Sequence, residues 1–443
     1  MSRDRVSSSR VPEQFRLFEQ PTLSAGVETA YTDIVLPASP STREDLVDFY
    51  VPISEYYTDL SETLLYLNAQ ISLPSDQTEA APCNNFFYLL FDRIDVELNG
   101  VPLTTSYNDC GYKAFFHILL NYPDCVKNTF LQSIMWFPDD PDGIKLRNLP
   151  PEENKTDRTL PPSKNEGLRK RHILSALGKE FPMAGKIMHE LFMVKQLLPP
   201  GLSIKVRLYR KDAKFCLMSP SDTTNFKIKL TDLRLHVRHV KPNAKLTEAM
   251  EKKLRSSAAL YCVNRGSNVK TKGLPKDVKS ISIDNIFNSE ALPDRIIFAL
   301  VPHNQYLGSL ASSPYNFEPH GLEEISLTID NTTITYKMDF FADQYMELYL
   351  AIATQLGNKD LHCSPNIEYS DVGKSMAIYP FDLTPMRDST DCLHQLKAKN
   401  ARLDLKFRET LKEPLQLICY MESPFLFSIN EKREVNTSIN YCE

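Results

Sequence analysis

The side chains able to do acid–base or metal chemistry are few, and their spacing suits neither. His189-Glu190 comes nearest to a zinc-protease helix, but the second metal-binding histidine would fall at residue 193, which is Met193. His236 and His239 are three apart, which on a strand places them on opposite faces, so no shared metal is expected. His303, within Val301-Pro302-His303-Asn304-Gln305, and His394, beside Cys392, have no nucleophile at motif spacing. Asp339, Asp343 and Glu347 lie on and around a helical stretch without the spacing of a metal loop, and a solvated face is expected. There is no GxSxG elbow, P-loop, or GxGxxG at a strand-to-helix junction. No catalytic, cofactor-binding or metal-ligating residue is therefore assigned, and no cofactor is expected. A hydrolase whose site assembles only in space stays a third reading.

The bulk properties point away from several other classes. A formal net charge of −5 over 443 residues gives no general drive towards nucleic acid or an anionic membrane. Nine cysteines, odd in number and without CxxC spacing, read as reduced thiols. No run approaches the roughly 20 apolar residues that span a bilayer, so a soluble protein is expected. Pro is abundant at 30 and Gly scarce at 14, which suits strands joined by long, locally stiff loops. Leu168-Arg169-Lys170-Arg171-His172 reads as a solvated basic cluster, with a nuclear address or phosphate contact as the alternative.

The elements that would position any site are mostly strands. Leu65, Leu67, Ala69 and Ile71 alternate with polar residues, as do Ile204, Val206 and Leu208, then Phe226, Ile228 and Leu230, and later Leu403, Leu405 and Phe407. Sheets with one wet face produce this pattern. One stretch, Phe91 to Tyr122, reads as strand, tight turn at Asn99-Gly100, strand, then a helix through Tyr112, Phe115, Phe116, Leu119 and Leu120. It is echoed 231 positions later: Ile94, Val96 and Leu98 fall on Ile325, Leu327 and Ile329, and Asn99-Gly100 on Asp330-Asn331. A second helix is expected with Phe341, Tyr345, Leu348, Tyr349 and Ile352 on one face. The two hairpins are thus expected at equivalent positions in two similar tandem domains.

The expected division is an N-terminal arm over 1–44, a first β domain over 45–240, a helical linker over 241–258 capped by Thr247, a second β domain over 259–432 and a tail over 433–443.

Several segments, in order, resemble the major capsid protein of polinton (Maverick) elements and adintoviruses, in the adenovirus hexon-like lineage. In the first half these are Tyr57-Thr58-Asp59-Leu60-Ser61, Asp95-Val96-Glu97-Leu98-Asn99-Gly100, Gly167-Leu168-Arg169-Lys170-Arg171-His172 and Ile204-Lys205-Val206-Arg207-Leu208. In the second they are Ser313-Pro314-Tyr315-Asn316-Phe317, Tyr379-Pro380-Phe381-Asp382-Leu383-Thr384-Pro385 and Asn400-Ala401-Arg402-Leu403-Asp404-Leu405-Lys406-Phe407. The resemblance implies an all-β chain with a few short helices, folded as two eight-stranded jelly rolls (a double jelly roll). It implies a non-enzymatic virion protein made in the host cytoplasm, with nuclear assembly as an option. Three copies would form a pseudo-hexagonal capsomer of an icosahedral capsid, meeting neighbouring capsomers, penton and minor capsid proteins. It implies no specific nucleic-acid partner and leaves membrane contact unassigned. The alternative is a β-sandwich recognition module that binds glycan or protein through the loops at 137–166 and 357–375. A penton protein is the runner-up among capsid roles, but a single jelly roll needs only about half this length.

Overall fold

The computed structural model describes residues 26–38, 45–72, 80–103, 109–141, 144, 165–175, 178–220, 225–287, 292–356, 365, 367–384 and 400–437. The first half contains β1 (Val27–Val35), β2 (Leu46–Val51), β3 (Tyr57–Ser72), β4 (Ala81–Pro82), β5 (Phe91–Leu98), β6 (Val101–Pro102), β7 (Phe181–Lys186), β8 (Ile204–Arg210), β9 (Leu217–Met218) and β10 (Lys227–Pro242). The second contains β11 (Ala259–Leu274), β12 (Ser280–Asp284), β13 (Arg295–Pro302), β14 (Leu322–Ile329), β15 (Thr332–Lys337), β16 (Ile378–Asp382), β17 (Ala401–Phe407), β18 (Leu415–Ile429) and β19 (Val435–Asn436).

In the first half one sheet runs β1-β10-β3-β7 and the other β2-β8-β5-β6, while β4 and β9 pair with each other. In the second half the sheets run β11-β18-β13-β16 and β12-β17-β14-β15, with β19 added to β18. With the short β4, β9 and β19 set aside, the described residues of each half form eight strands in one order, the first strand beside the last and the second beside the seventh. That is a jelly roll built twice, as the sequence led one to expect. The alternation explains the cores: Leu65, Leu67, Ala69 and Ile71 are buried, as are Leu403, Leu405 and Phe407, while the residues between them are partly or fully exposed.

The two hairpins occupy the same place in each roll. β5 pairs with β8 through Ile94↔Leu208, Val96↔Val206 and Leu98↔Ile204, and β14 pairs with β17 through Ile325↔Leu405, Leu327↔Leu403 and Ile329↔Ala401. Even the irregularities coincide at the 231-residue offset, lying between Phe91 and Arg93 in one and Leu322 and Glu324 in the other. Asn99 (φ 49°) and Gly100 (φ 77°) are both left-handed, the turn that a two-residue hairpin loop of this kind demands. Asp330 takes the same role at φ 50°.

Three expectations need correction. Val27–Val35 is a strand, not part of an arm reaching to residue 44: β1 pairs with β10 along its length. It sits at a sheet edge with most of its residues exposed, so it carries no apolar alternation to read. The linker helix, Ala244–Ser256, is capped by Asn243, whose side chain accepts from the Leu246 N–H at 2.8 Å, rather than by Thr247. In the second roll the helix starts at Met346, leaving Phe341 exposed in the preceding turn, while Tyr345, Leu348 and Ile352 are buried as expected. In addition, β19 places Val435–Asn436, expected in the tail, on the second roll's sheet.

Candidate assembly surface

The helix Cys110–Asn121 lies between β6 and β7 of the first roll, and it is what joins the two rolls. Its polar positions, Lys113, His117 and Asn121, form one narrow stripe, while Tyr112, Phe115, Phe116, Ile118, Leu119 and Leu120 are all buried. A helix apolar on nearly every side must be enclosed on nearly every side. The ring of Phe116 stacks on Phe317 at 5.4 Å and packs on Tyr420 of β18 at 5.3 Å, and Phe115 stacks on Tyr315 at 4.2 Å. The Tyr315 hydroxyl donates to the Gly111 carbonyl (3.0 Å) and accepts from the Asn85 amide (3.3 Å). The sheet β11-β18-β13-β16 is thereby covered on its outer face as well as its core face, which is why Arg295–Val301 in β13 is buried without a break.

Polar contacts rim this apolar seam. Lys113 donates to Glu190 at 2.6 Å, and Glu190 also accepts the Ser267 N–H of β11 at 3.1 Å. The Tyr306 hydroxyl donates to Asp109 at 3.0 Å, Tyr261 donates to the Leu197 carbonyl at 3.0 Å, and the Ser219 N–H donates to the Leu310 carbonyl at 2.9 Å. Near the end of the second roll, Arg433 donates to the Pro200 carbonyl at 2.7 Å and to Glu251 of the linker helix at 2.8 Å.

The residues considered for chemistry are scattered across this frame. His189 is buried, its Nδ1 accepting the Leu191 N–H at 3.1 Å, and burial pushes its pKa down to about 4. Burial would raise the neighbouring Glu190, but Lys113 and His189 outweigh it and hold the carboxyl at about 2. The pair belongs to the seam. His239 is buried in β10 with its Nδ1 3.3 Å from the Thr58 hydroxyl, whereas His236, half-buried, packs at a tilt on Tyr66 with ring centroids 4.2 Å apart. His303 lies 3.3 Å from Gln416. Asp339 pairs with Arg408 at 3.0 Å, and Asp343 and Glu347 are exposed. His394 and Cys392 lie outside the described residues, among which no group of three or more His, Cys, Asp or Glu could hold a metal ion.

The basic run at 168–172 is divided rather than solvated. Arg171 is fully buried, donating to the Pro82 carbonyl at 2.7 Å, to the Phe137 carbonyl and to Asp139, while Arg169 pairs with Glu166 on the same helix, leaving Lys170 exposed. Most of the loop at 137–166, and residues 357–364 and 366 of the loop at 357–375, lie outside the described residues. Between their described ends is a cavity of about 190 Å³ lined by Trp136, Pro138, Ile144, Ile367 and Met376, among others.

The seam has a pH signature. His189 and His117 are both held neutral, each pushed by burial to about 4 from an ordinary value of 6.5. Between those values the unfolded chain takes up two protons that the folded chain does not, so stability falls as pH drops through this window. The slope is about 1.4 kcal/mol per pH unit for each group once its unfolded form is protonated. Urea titrations from pH 7 to pH 5 check this; His117→Asn with His189→Asn should flatten the profile, and an unchanged profile in that variant would count against these two as its source.

No protein-family model matches the chain. An uncharacterised protein of Caenorhabditis elegans, F54H12.2, is 22% identical over 377 residues, covering 83% of this chain and 84% of that one. Among solved structures, a chain of the Sputnik virophage superposes with a TM-score of 0.66 at 11% identity, over 98% of this chain and 93% of its own. The fold is the double jelly roll of viral capsid proteins. The mavirus major capsid protein matches with a TM-score of 0.57 at 10% identity over 98% and 96% of the two chains. The Faustovirus major capsid protein matches at 0.56 and 8% over 93% and 92%. Coverage of 93% or more of this chain in each case means that the matches extend over both rolls.

Proposed function

We propose that this chain is a major capsid protein of the polinton and adintovirus type, a structural component of the virion without enzymatic activity. Three copies form a pseudo-hexagonal capsomer, and capsomers meet one another, penton and minor capsid proteins to close an icosahedral shell. The observation that carries this reading is the duplication itself. Two jelly rolls with one strand order, locked by a buried seam, give three chains six similar lobes, and a head-to-tail contact that closes on itself after three copies makes a ring. The near end-to-end matches to virophage and mavirus chains support it. Synthesis in the host cytoplasm, with assembly there or in the nucleus, is part of the same proposal.

The test is the mass of the purified protein by size exclusion with light scattering. A particle of three times the 50.6 kDa chain, or a shell, is expected. A persistent monomer at micromolar concentration would overturn the capsomer reading and favour a recognition module instead.

A further inference from the structure

In the first roll the helix between β6 and β7 lays Phe115 and Phe116 against the second roll, where Phe116 reaches Tyr420 on β18, beside β11, and Leu119 is buried on the same helix. The second roll carries its own helix in the same connection, between β15 and β16: Met346–Ala351, continued by the wider turn Ile352–Leu356. The 231-residue offset that aligns the hairpins carries Phe115, Phe116 and Leu119 onto Met346, Glu347 and Leu350. In the single chain these three are exposed, with Met346 at 53% and Leu350 at 52%. By sequence position an apolar pair is thus presented opposite Phe115 and Leu119, although this helix begins at Met346 and not at 341, where the offset would place Cys110.

The counterpart of β11 and β18 is likewise uncovered. By strand order it is β1 and β10 of the first roll. On β10, Leu235 and Val237 face the core, so His236 and Arg238 face outward, and their cross-strand partners Ile34 and Thr32 on β1 share that face. Ile34 is 56% exposed. The charges match too: Glu347, between Met346 and Leu350 in the chain, and Asp343, in the turn before the helix, are exposed, and exposed Arg238 stands two residues from His236, Ile34's partner on the sheet.

We propose that, in the capsomer, the helix Met346–Leu356 of one copy docks on the outer face of β1 and β10 in the next copy. Met346 and Leu350 pack against Ile34, and Glu347 meets Arg238. The contact between copies repeats the contact within the chain, so the six lobes are joined alternately by a covalent and a non-covalent version of one interface. The proposal rests on the trimer reading above and names its interface.

Sedimentation of the full chain and its variants tests it, with near-UV circular dichroism to confirm folding. Met346→Glu with Leu350→Glu is expected to raise the trimer dissociation constant by at least tenfold. Because Glu347 and Arg238 are both exposed, Glu347→Arg and Arg238→Glu should leave the fold intact; each should weaken the trimer, and the two together should restore it. That rescue carries the test even if the glutamate pair misfolds. A wild-type trimer that none of these variants loosens, or single charge reversals whose effects simply add, would overturn this docking and leave the trimer standing. A monomeric wild type overturns the trimer and this contact with it.

Discussion

Phe116→Ala is expected to cost about 3–5 kcal/mol of stability, the range for emptying a buried aromatic position. The ring is fully buried between Phe317 and Tyr420, side chains of the other roll, so the void opens in the seam rather than inside either sandwich. Its neighbours are poorly placed to collapse into the gap. Phe317 is anchored by backbone hydrogen bonds to Ser375 and Ala377, and Tyr420 lies within the continuous strand β18, its hydroxyl donating to Glu422 at 2.9 Å. Urea unfolding followed by near-UV circular dichroism reads the effect. Because the lost contact lies between rolls, the unfolding transition should also broaden or divide as the halves uncouple. A loss below about 1 kcal/mol with an unchanged single transition would show that the polar rim, not the aromatic seam, holds the rolls together.

How much of this was legible in the sequence depended on whether the signal was local. The hairpins were, because strand register is set by alternation and turn chemistry, and both recur from Ile94 to Gly100 and from Ile325 to Asn331. β1 was not, since an edge strand with its faces open to solvent has no pattern to show. The spacing of Tyr112, Phe115, Phe116, Leu119 and Leu120 marks the seam helix, and the narrow polar stripe of Lys113, His117 and Asn121 carries the further information that its remaining sides are enclosed. Arg171 misled for a related reason: a cationic run suggests solvent, and nothing nearby in sequence shows that the Pro82 and Phe137 carbonyls and Asp139 will receive its guanidinium. The fold was therefore written in local alternation, while the seam between the rolls rests on pairings between distant segments.

Arg295→Met is expected to cost about 3–5 kcal/mol, the loss typical of stripping one partner from a buried ion pair. Arg295 on β13 and Glu422 on β18 are direct cross-strand neighbours, both buried, with two guanidinium nitrogens donating to one carboxylate oxygen at 2.9 and 2.6 Å. The other oxygen accepts from Tyr420, and the third guanidinium nitrogen donates to the Gln355 carbonyl at 3.2 Å. Removing the cation leaves a carboxylate under the seam with a single neutral donor to it among these groups. The double change Arg295→Met with Glu422→Met removes both charges, so it should recover most of the loss, and that difference separates the burden of an uncompensated charge from the net worth of the pair. Gln355 gives the pair a second role. It lies in the turn that ends the second roll's helix, so Phe116, Tyr420, Glu422, Arg295 and Gln355 form one connected line from the seam to the surface proposed to dock. The double variant should thus be nearly as stable as the wild type yet form a weaker trimer, because its helix has lost this anchor. Equal loss of stability in single and double variants would mean that the contacts to Gln355 and Tyr420, rather than the buried charge, dominate.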